Sequence, residues 1–453
     1  MNASHTVSGS RARTRVLNAA RVGVVVLCAA AMMANASSAV AQTYGPAIDP
    51  EVDTDSPSAL NYTPDAVPAP LVTAVETSLA QNPQVLAGLA ELAALDSDLK
   101  AANWQRYPAL TAEVLATTGG SNAADADGLA VNLALEQPIW AGGGINSAID
   151  AARISRDVGK TALREIRYDI MLAITVSYFD ALLAFQRARV LDEGLAEMRG
   201  LVSSIERRVA QQVSPLADLT LARSRLTQLE VDLTTAQEQG AAAMLRLREF
   251  VGAPVPRPVL PASDLAAQVP VETLALEDTL GCSPSLDRLR AEVDLADANV
   301  RVTRSDLFPR LLLQLSQNEL TGARAALVLR WQSGNGLSQF AATNSAEARV
   351  GQAIALLGQA DRETRTRLNT EYVNLRASQR REAAGRIALE ASSALVESYE
   401  RQFVAGRRSW LDVLNAAREK VVAAVSQSDA SVGVAGSAAR ILALSCRWRP
   451  EGV

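Results

Sequence analysis

The sequence predicts a mainly α-helical protein with a small β-barrel contribution, built from two copies of one unit: helix, β-hairpin, long helix and return helix. Composition is the first indication. Of the 453 residues 48% are hydrophobic but only 4% are aromatic, which is typical of long helices packed side by side. Hydrophobic periodicity is the second, because heptad spacing in long proline-free segments alternates with period-two spacing in short ones. The third is an internal repeat.

Two sets of matching residues define the repeat. At a constant offset of 201 residues, Asn82, Pro83, Glu91, Tyr107 and Pro108 are matched by Ser283, Pro284, Glu292, Phe308 and Pro309. At a constant offset of 194 residues, Tyr178, Glu206, Arg207, Asp218 and Ala222 are matched by Tyr372, Glu400, Arg401, Asp412 and Ala416. We therefore predict a first repeat at residues 71–251 and a second at 284–445, the second shortened by seven residues between Pro309 and Tyr372.

The first 41 residues, 1–41, are predicted to be an export signal. Four arginines precede an apolar stretch at 22–34, and a small-residue motif places the cleavage site between Ala41 and Gln42. A bulky leucine precedes Cys28 where lipidation signals need a small residue, so we favour cleavage without a lipid anchor. Cleavage removes four positive charges and the single histidine, which lowers the formal net charge from −5 by four, to −9.

Composition also excludes several classes of function. An acidic exported chain lacks the positive surface that nucleic-acid binding requires, and a histidine-free mature chain lacks the commonest base and zinc ligand. The glycine run at 142–144 is not followed by the lysine of a phosphate loop, so we predict a strand-to-helix turn there. No apolar run of about 18 residues follows the signal, so no helical membrane span is expected. We expect no enzyme, no cofactor, no metal site and no nucleic-acid partner.

Each repeat begins with a helix and then changes to alternating periodicity. A helical stretch of about 24 residues follows Pro83, and hairpins are predicted at about 109–137 and 310–331. Strands of roughly 9–11 residues with one apolar face are typical of transmembrane β-strands. Four strands cannot close a barrel, and an open edge in lipid leaves backbone groups unpaired, so other chains must supply strands; three chains would supply twelve. A water-soluble hairpin that covers a helix is the alternative.

A very long helix follows each hairpin. Apolar residues step in heptads along the proline-free segment from about 145 to 211, at Leu191, Leu195, Met198, Val202, Ile205 and Val209. A break at 213–215 precedes a return helix with the same rhythm, at Leu219, Ala222, Leu226, Leu229, Leu233 and Ala236. The second copy breaks at 405–407 and returns from about Ser409. An ordinary soluble coiled-coil spacer is the alternative.

The remaining segments are two proline-rich stretches and a tail. Residues 42–70 and the inter-repeat linker at 252–283 are predicted to run as extended chain along the outside of the helices. Residues 446–453 form a C-terminal tail. In an oxidising compartment Cys282 and Cys446 are either a disulfide or two unpaired small hydrophobic residues.

This layout resembles the TolC-type outer-membrane efflux protein family over essentially residues 70–444. Its most specific motif, Ala-Gly-Arg-Arg-Ser-Trp-Leu-Asp-Val-Leu-Asn-Ala from Ala405 to Ala416, is similar to the family's second periplasmic tip turn. The resemblance implies a homotrimer with a twelve-stranded transmembrane β-barrel in outer-membrane lipid and a trimeric α-barrel tunnel of twelve helices through the periplasm. It also implies two partners, a periplasmic adaptor protein and an inner-membrane transporter, either an ATP-binding-cassette transporter or a proton-driven pump.

The resemblance further implies a function. The stretch 409–416 and the short second hairpin look most like the members that serve type I secretion of large adhesins. We therefore expect an outer-membrane exit duct that passively conducts protein. The channel of a drug or metal efflux pump is one alternative, and a secreted coiled-coil structural protein that is not a channel is another.

Candidate site residues follow from the same resemblance. Asp412 and Asn415 are expected to form the pore constriction, as rings of three side chains one helical turn apart. The alternative for Asp412 is a solvated carboxylate stabilised by the helix dipole. Arg408, with Asp218 among its available partners, is expected to lock the tip closed. The two tip turns are expected to contact the adaptor through Val213, Ser214, Pro215, Gly406, Arg407 and Ser409.

The family layout also implies a bonded pair of cysteines. The last helix of the second copy ends at mid-height of the tunnel near Cys446, and the first helix of that copy begins at the same height after Cys282. The resemblance therefore favours the disulfide. A frayed tail with Cys446 unpaired is the alternative.

Overall fold

The computed structural model describes residues 64–117, 128–318, 322–332 and 337–450. The predicted export signal with its cleavage site at Ala41 and Gln42, most of the proline-rich segment 42–70, the tips of both hairpins, the second glycine turn at 334–336 and the end of the tail lie outside the described residues.

The described ranges contain eight α-helices, four β-strands and one short 3-10 turn at Leu265–Gln268. In the first repeat they are α1 (Ala69–Gln81), α2 (Pro83–Trp104), β1 (Ala109–Thr117), β2 (Gly128–Trp140), α3 (Gly144–Ala210) and α4 (Leu216–Val251). In the second they are α5 (Glu272–Cys282), α6 (Pro284–Ser305), β3 (Arg310–Asn318), β4 (Gly322–Arg330), α7 (Ser338–Val404) and α8 (Trp410–Leu444).

The repeat extends further than the sequence pattern indicates. Helix α5 occupies the last third of the segment 252–283, so the prediction of extended chain is wrong there. Pro270 ends the proline-rich part, and the eleven residues of α5 contain no proline. Helix α1 is its counterpart in the first repeat and begins inside the segment 42–70. Each repeat therefore starts with a short helix, a one-residue break before proline and a second helix.

The four strands form one antiparallel sheet in the order β1-β2-β3-β4, so the two hairpins pair through β2 and β3. Strand β2 runs past the predicted end at 137. Its pairing with β3 shifts register between Pro138 and Trp140, where proline has no backbone N–H to donate to the neighbouring strand. Residues directly opposite each other share a face. One face carries the apolar cross-strand pairs Leu110–Leu135, Ala112–Leu133, Val114–Val131, Leu135–Leu315, Leu311–Leu329 and Leu313–Leu327. The other carries Glu113, Asn132, Glu136, Gln314, Ser316 and Arg324.

The glycine run after β2 makes a strand-to-helix turn, as predicted. Gly142 and Gly143 have φ values of +58° and +85°, in the left-handed region that favours glycine. A Cβ on Gly142 would lie 2.5 Å from the Cβ of Phe308. The turn therefore requires glycine both for its backbone angle and for the close approach of the second repeat.

Two helices of 67 residues, α3 and α7, dominate the molecule, and each is about 100 Å long at the usual rise. Helix α3 packs against the return helix α4 on one side and against α8 on the other, and α8 packs against α7. These four helices therefore form a layer in the order α4-α3-α8-α7, with α4 and α7 at its edges. The 18-residue window of α3 that is apolar enough to cross a membrane is 61% buried within this layer, as in a core helix.

The heptad residues form the seam of this layer, as predicted. Leu191, Leu195, Met198, Val202 and Ile205 of α3 are buried in one cluster with Leu219, Ala222, Leu229, Leu233 and Ala236 of α4. Residues of α8 complete the cluster, among them Val413, Leu414, Ala417 and Val421. Small residues bring the helices close, because a Cβ on Gly194 would meet the side chain of Val421 at 2.6 Å.

Two tyrosines at matching repeat positions hold the inter-repeat linker. The Tyr178 hydroxyl accepts a hydrogen bond from the Val259 amide at 2.9 Å and donates one to the Val259 carbonyl at 3.0 Å. The Tyr372 hydroxyl donates to the Pro270 carbonyl at 2.7 Å. The linker is therefore hydrogen-bonded at two points to the long helices, through one tyrosine of each repeat.

Candidate functional site

The two tip turns close with the same backbone geometry. In the first turn the Val213 amide donates to the Arg208 carbonyl at 2.9 Å, and in the second the Arg407 amide donates to the Gln402 carbonyl at 2.9 Å. Gln212 and Gly406 occupy matching positions with φ values of 61° and 70°. Of the six predicted adaptor-contacting residues, five are exposed and Ser214 is half-buried.

A capping box begins the return helix of the second repeat. The Ser409 hydroxyl accepts a hydrogen bond from the Asp412 amide at 3.2 Å and donates one to Asp412 Oδ2 at 2.9 Å, while the Ser409 amide donates to Oδ2 at 3.4 Å. The hydrogen bonds from Ser409 lower the pKa of Asp412, and the Arg408 charge acts in the same direction. Asn415 is exposed one turn further along α8. Within the chain Asp412 is thus the carboxylate of a helix-capping box.

The first repeat lacks this box, because Pro215 stands where the second repeat has Ser409. Proline has neither a hydroxyl nor an amide donor. Asp218 lies in the first turn of α4 without a cap hydrogen bond from a side chain before it. The two matching aspartates therefore differ in their surroundings.

Arg408 makes its contacts within its own repeat and is not paired with Asp218 of the same chain. Its Nη1 lies 3.7 Å from Asp412 Oδ2, its Nε donates to Gln402 at 3.3 Å, and its guanidinium lies 4.3 Å from the centre of the Tyr399 ring. All of these partners lie within about two helical turns of Arg408 along the chain.

An aromatic cluster behind the turns ties the two repeats together at the tip. Trp410 is 4% exposed, and its ring centre lies 5.1 Å from that of Phe403. The Arg208 guanidinium, from the first repeat, lies 4.5 Å from the centre of the Phe403 ring. The sequence pattern does not indicate this stacking of Arg208 on Phe403. Nothing in the sequence pattern indicates which aromatic ring a distant arginine covers.

Exposed aromatic residues gather at the base of the sheet, where the strands meet the helices. Trp104, Tyr107, Trp140, Phe308 and Trp331 are each at least 48% exposed. The Trp104 and Tyr107 ring centres lie 5.0 Å apart, and the Trp331 indole nitrogen donates to the Leu307 carbonyl at 3.2 Å. Tryptophan and tyrosine favour the boundary between lipid and water. This belt, next to an apolar sheet face, therefore marks one boundary of a membrane-embedded region.

Cys282 and Cys446 are joined by a disulfide with Cα atoms 6.5 Å apart, which links the end of α5 to the residue after α8. The tail beyond it packs against the body. Arg447 pairs with Asp278 of α5 at 2.8 Å, and Trp448 is completely buried. The alternative of a frayed tail is therefore wrong for residues 446–450.

The fold and the site define a class of protein: an outer-membrane channel protein, with a four-stranded sheet at one end and a long helical layer at the other. The chain matches the outer membrane efflux protein family over residues 74–253 and 275–444, and it belongs to that family. The family consists of outer-membrane channels rather than enzymes, and its known structures have the TolC-like fold. The hypothesis of a secreted coiled-coil structural protein is therefore set aside.

Individual proteins resemble the chain in different ways. It is 31% identical over 190 residues to the cobalt-zinc-cadmium resistance protein CzcC of Cupriavidus metallidurans, covering 41% of the chain and 45% of that protein. It is 24% identical over 322 residues to the alkaline protease secretion protein AprF of Pseudomonas aeruginosa, covering 64% of each. The matched regions thus span less than two thirds of either relative. The solved structure of CusC superimposes with a TM-score of 0.74 at 16% identity, over 83% of the chain and 92% of CusC.

Proposed function

We propose that the chain is one protomer of a trimeric outer-membrane exit duct that passively conducts protein in a tripartite type I secretion system. The observation that carries this proposal is that the protomer has apolar, unpartnered edges in both of its layers. Strands β1 and β4 are the open edges of the sheet, and helices α4 and α7 are the edges of the helical layer.

The sheet supports closure with other copies in lipid. On its apolar face Leu110 is 73% exposed, Leu327 66% and Leu329 67%. Exposure of these apolar side chains is unfavourable in water and favourable in lipid. In lipid the unpaired backbone N–H and C=O groups of the edge strands are what raises the free energy. Pairing β4 of one copy with β1 of the next satisfies both edges, and three copies make a closed barrel of twelve strands.

The helical edges support the same symmetry. On α4, Leu216, Val231 and Leu245 are exposed and lie 15 and 14 residues apart, close to whole numbers of turns, so they share one face. On α7, Val373 and Ile387 are exposed and again 14 residues apart. Packing α7 of one copy against α4 of the next would bury both stripes and close a twelve-helix tunnel.

At the tip we propose the roles that the sequence suggested. The exposed turns at 211–215 and 405–409 are the surface for a periplasmic adaptor, which delivers substrate from an inner-membrane transporter. Threefold symmetry would bring three copies of Asp412 together as a cation-selective constriction, with Asn415 as a neutral ring beside it. Arg408 would hold the closed tip through its stacking on Tyr399 and its charge opposite Asp412, and through Asp218 of a neighbouring copy.

Recordings in planar bilayers test the tip. Arg408→Ser should raise single-channel conductance, and Asp412→Asn should reduce cation selectivity, with Arg401→Ser as the control for a nearby exposed arginine. An unchanged conductance in the first variant would place the lock elsewhere. An unchanged reversal potential in the second would leave Asp412 with its capping role alone.

The substrate class separates secretion from efflux. The match to AprF over 322 residues supports protein secretion, whereas the higher identity to CzcC over a shorter region supports metal efflux as the second candidate. Deletion of the protein from its host decides between them. Loss of a protein from the culture medium with unchanged tolerance to cobalt, zinc and cadmium is expected. Lost metal tolerance with an unchanged medium would instead establish the efflux alternative.

A further inference from the structure

A groove of about 820 Å³ runs along the helical layer, between α4 and α8 and over α3. This volume lies within the range of small-molecule sites, which is about 300–1,000 Å³. The groove is separate from the tip turns and from the base of the sheet. Neither the tip contacts nor the membrane sheet accounts for it.

The floor of the groove is apolar and built from the heptad seam. Leu191 and Met198 of α3, Leu229 of α4 and Val421 of α8 are each at most 9% exposed, and Val425 is half-buried beside them. Val422, at the edge, is 59% exposed. An apolar molecule lying here would be removed from water along the length of the groove.

The walls of the groove are cationic. Arg225, Arg381 and Arg418 line it, and no described residue brings a carboxylate within 4.0 Å of any of them. Arg187, also in the wall, pairs with Asp429 through one nitrogen, while its Nε and the second oxygen of Asp429 are buried without a hydrogen-bond partner. Asp232 is the other carboxylate of the lining and accepts a hydrogen bond from Gln228. Four guanidinium groups thus face two carboxylates.

This concentration of positive charge contrasts with the acidic net charge of the chain. Arginine is always charged and binds carboxylate and sulfate groups through paired N–H donors. The groove lies over α3, with Arg418 on the inner helix α8 and Arg225 and Arg381 on the edge helices α4 and α7.

We propose that this groove binds an elongated amphipathic anion, with its apolar chain on the Leu191–Leu229–Val421 floor and its carboxylate or sulfate held by Arg225 and Arg418. The site is independent of whether the duct exports protein or metal ions. Its ligand is of small-molecule size, because a volume of about 820 Å³ lies in the range of small-molecule sites and is far too small for a folded domain.

Laurate, a twelve-carbon carboxylate, is the probe. Calorimetric titration uses the full-length mature protein in nanodiscs of zwitterionic lipid, with the signal of empty nanodiscs subtracted. We expect saturable binding that weakens at least tenfold in Arg225→Gln/Arg418→Gln and at least tenfold for uncharged dodecanol. The matched control is Arg223→Gln/Arg401→Gln, which neutralises two exposed arginines on α4 and α7 outside the groove and should bind laurate as the wild type does.

A second measurement needs no variant. A diazirine analogue of laurate should crosslink wild-type protein at groove residues of α4 and α8, as mapped by mass spectrometry. Equal affinity of the groove variant and the control would overturn the proposal, as would crosslinks confined to the sheet. If wild-type protein takes up no laurate while the groove variant loses its periplasmic adaptor, the groove is a protein-docking surface and the small-molecule proposal is wrong.

Discussion

The disulfide between Cys282 and Cys446 should contribute a large part of the stability of the helical body. The two residues are 164 apart in sequence, so the bond closes a very long loop in the unfolded chain. The chain-entropy relation for a loop of that length gives about 5 kcal/mol, and measured contributions of disulfides are typically 2–4 kcal/mol. Removal of the bond should therefore lower the free energy of unfolding by roughly 2–5 kcal/mol.

The folded structure near the bond should survive its removal. The Arg447–Asp278 ion pair and the buried Trp448 hold the tail against α5 independently of the sulfur atoms. The loss should therefore come mainly from a freer unfolded chain. The double variant Cys282→Ser/Cys446→Ser should still assemble and insert, but it should unfold at lower denaturant.

Guanidinium unfolding followed by circular dichroism measures the effect, at one protein concentration because assembly contributes to apparent stability. Reductant should bring the wild type to the midpoint of the double variant and leave the double variant unchanged. Two alkylatable thiols in unreduced protein, or identical midpoints for wild type and variant, would refute the reasoning.

Three further perturbations test other parts of the structure. Gly194→Ala should destabilise the α3–α8 seam by about 1–3 kcal/mol in thermal unfolding, because the new Cβ would lie 2.6 Å from Val421; Gly200→Ala, with no atom within 4 Å, should instead stabilise by about 0.5–1 kcal/mol. Tyr178→Phe and Tyr372→Phe should each cost about 1 kcal/mol and make the linker at 252–271 more sensitive to limited proteolysis, and unchanged cleavage rates would contradict the fastening. Hydrogen bonds from Ser409 hold the pKa of Asp412 below its ordinary value, so the carboxylate stabilises the tip at neutral pH and this stabilisation is lost as pH falls through that lowered pKa. Hydrogen exchange at the start of α8, relative to its middle, should therefore rise below about pH 4 in the wild type and show no such step in Asp412→Asn.

The helices, the hairpins and the duplication could be predicted from the sequence because each is encoded by a local pattern of residues. Heptads repeat within one helix and alternation within one strand, so the long helix at about 145–211, its return and the two hairpins were predicted close to their observed bounds. The duplication was visible because matching residues keep a constant register. The strand-to-helix turn at 142–144 was visible because a run of glycines favours the left-handed backbone angles of such a turn.

The partners of individual side chains were decided by the tertiary structure. In the sequence Asp218 is one of the available partners of Arg408; within the folded chain Arg408 lies between Tyr399 and Asp412, and Arg208 covers Phe403 of the other repeat. Tyr178 and Tyr372 marked the repeat in the sequence, but only the folded chain shows that both hold the linker. The groove of arginines likewise draws on four helices distant in sequence. Periodicity specifies which face of an element is apolar, whereas contacts across elements depend on how those faces are rotated against each other, which no single segment encodes.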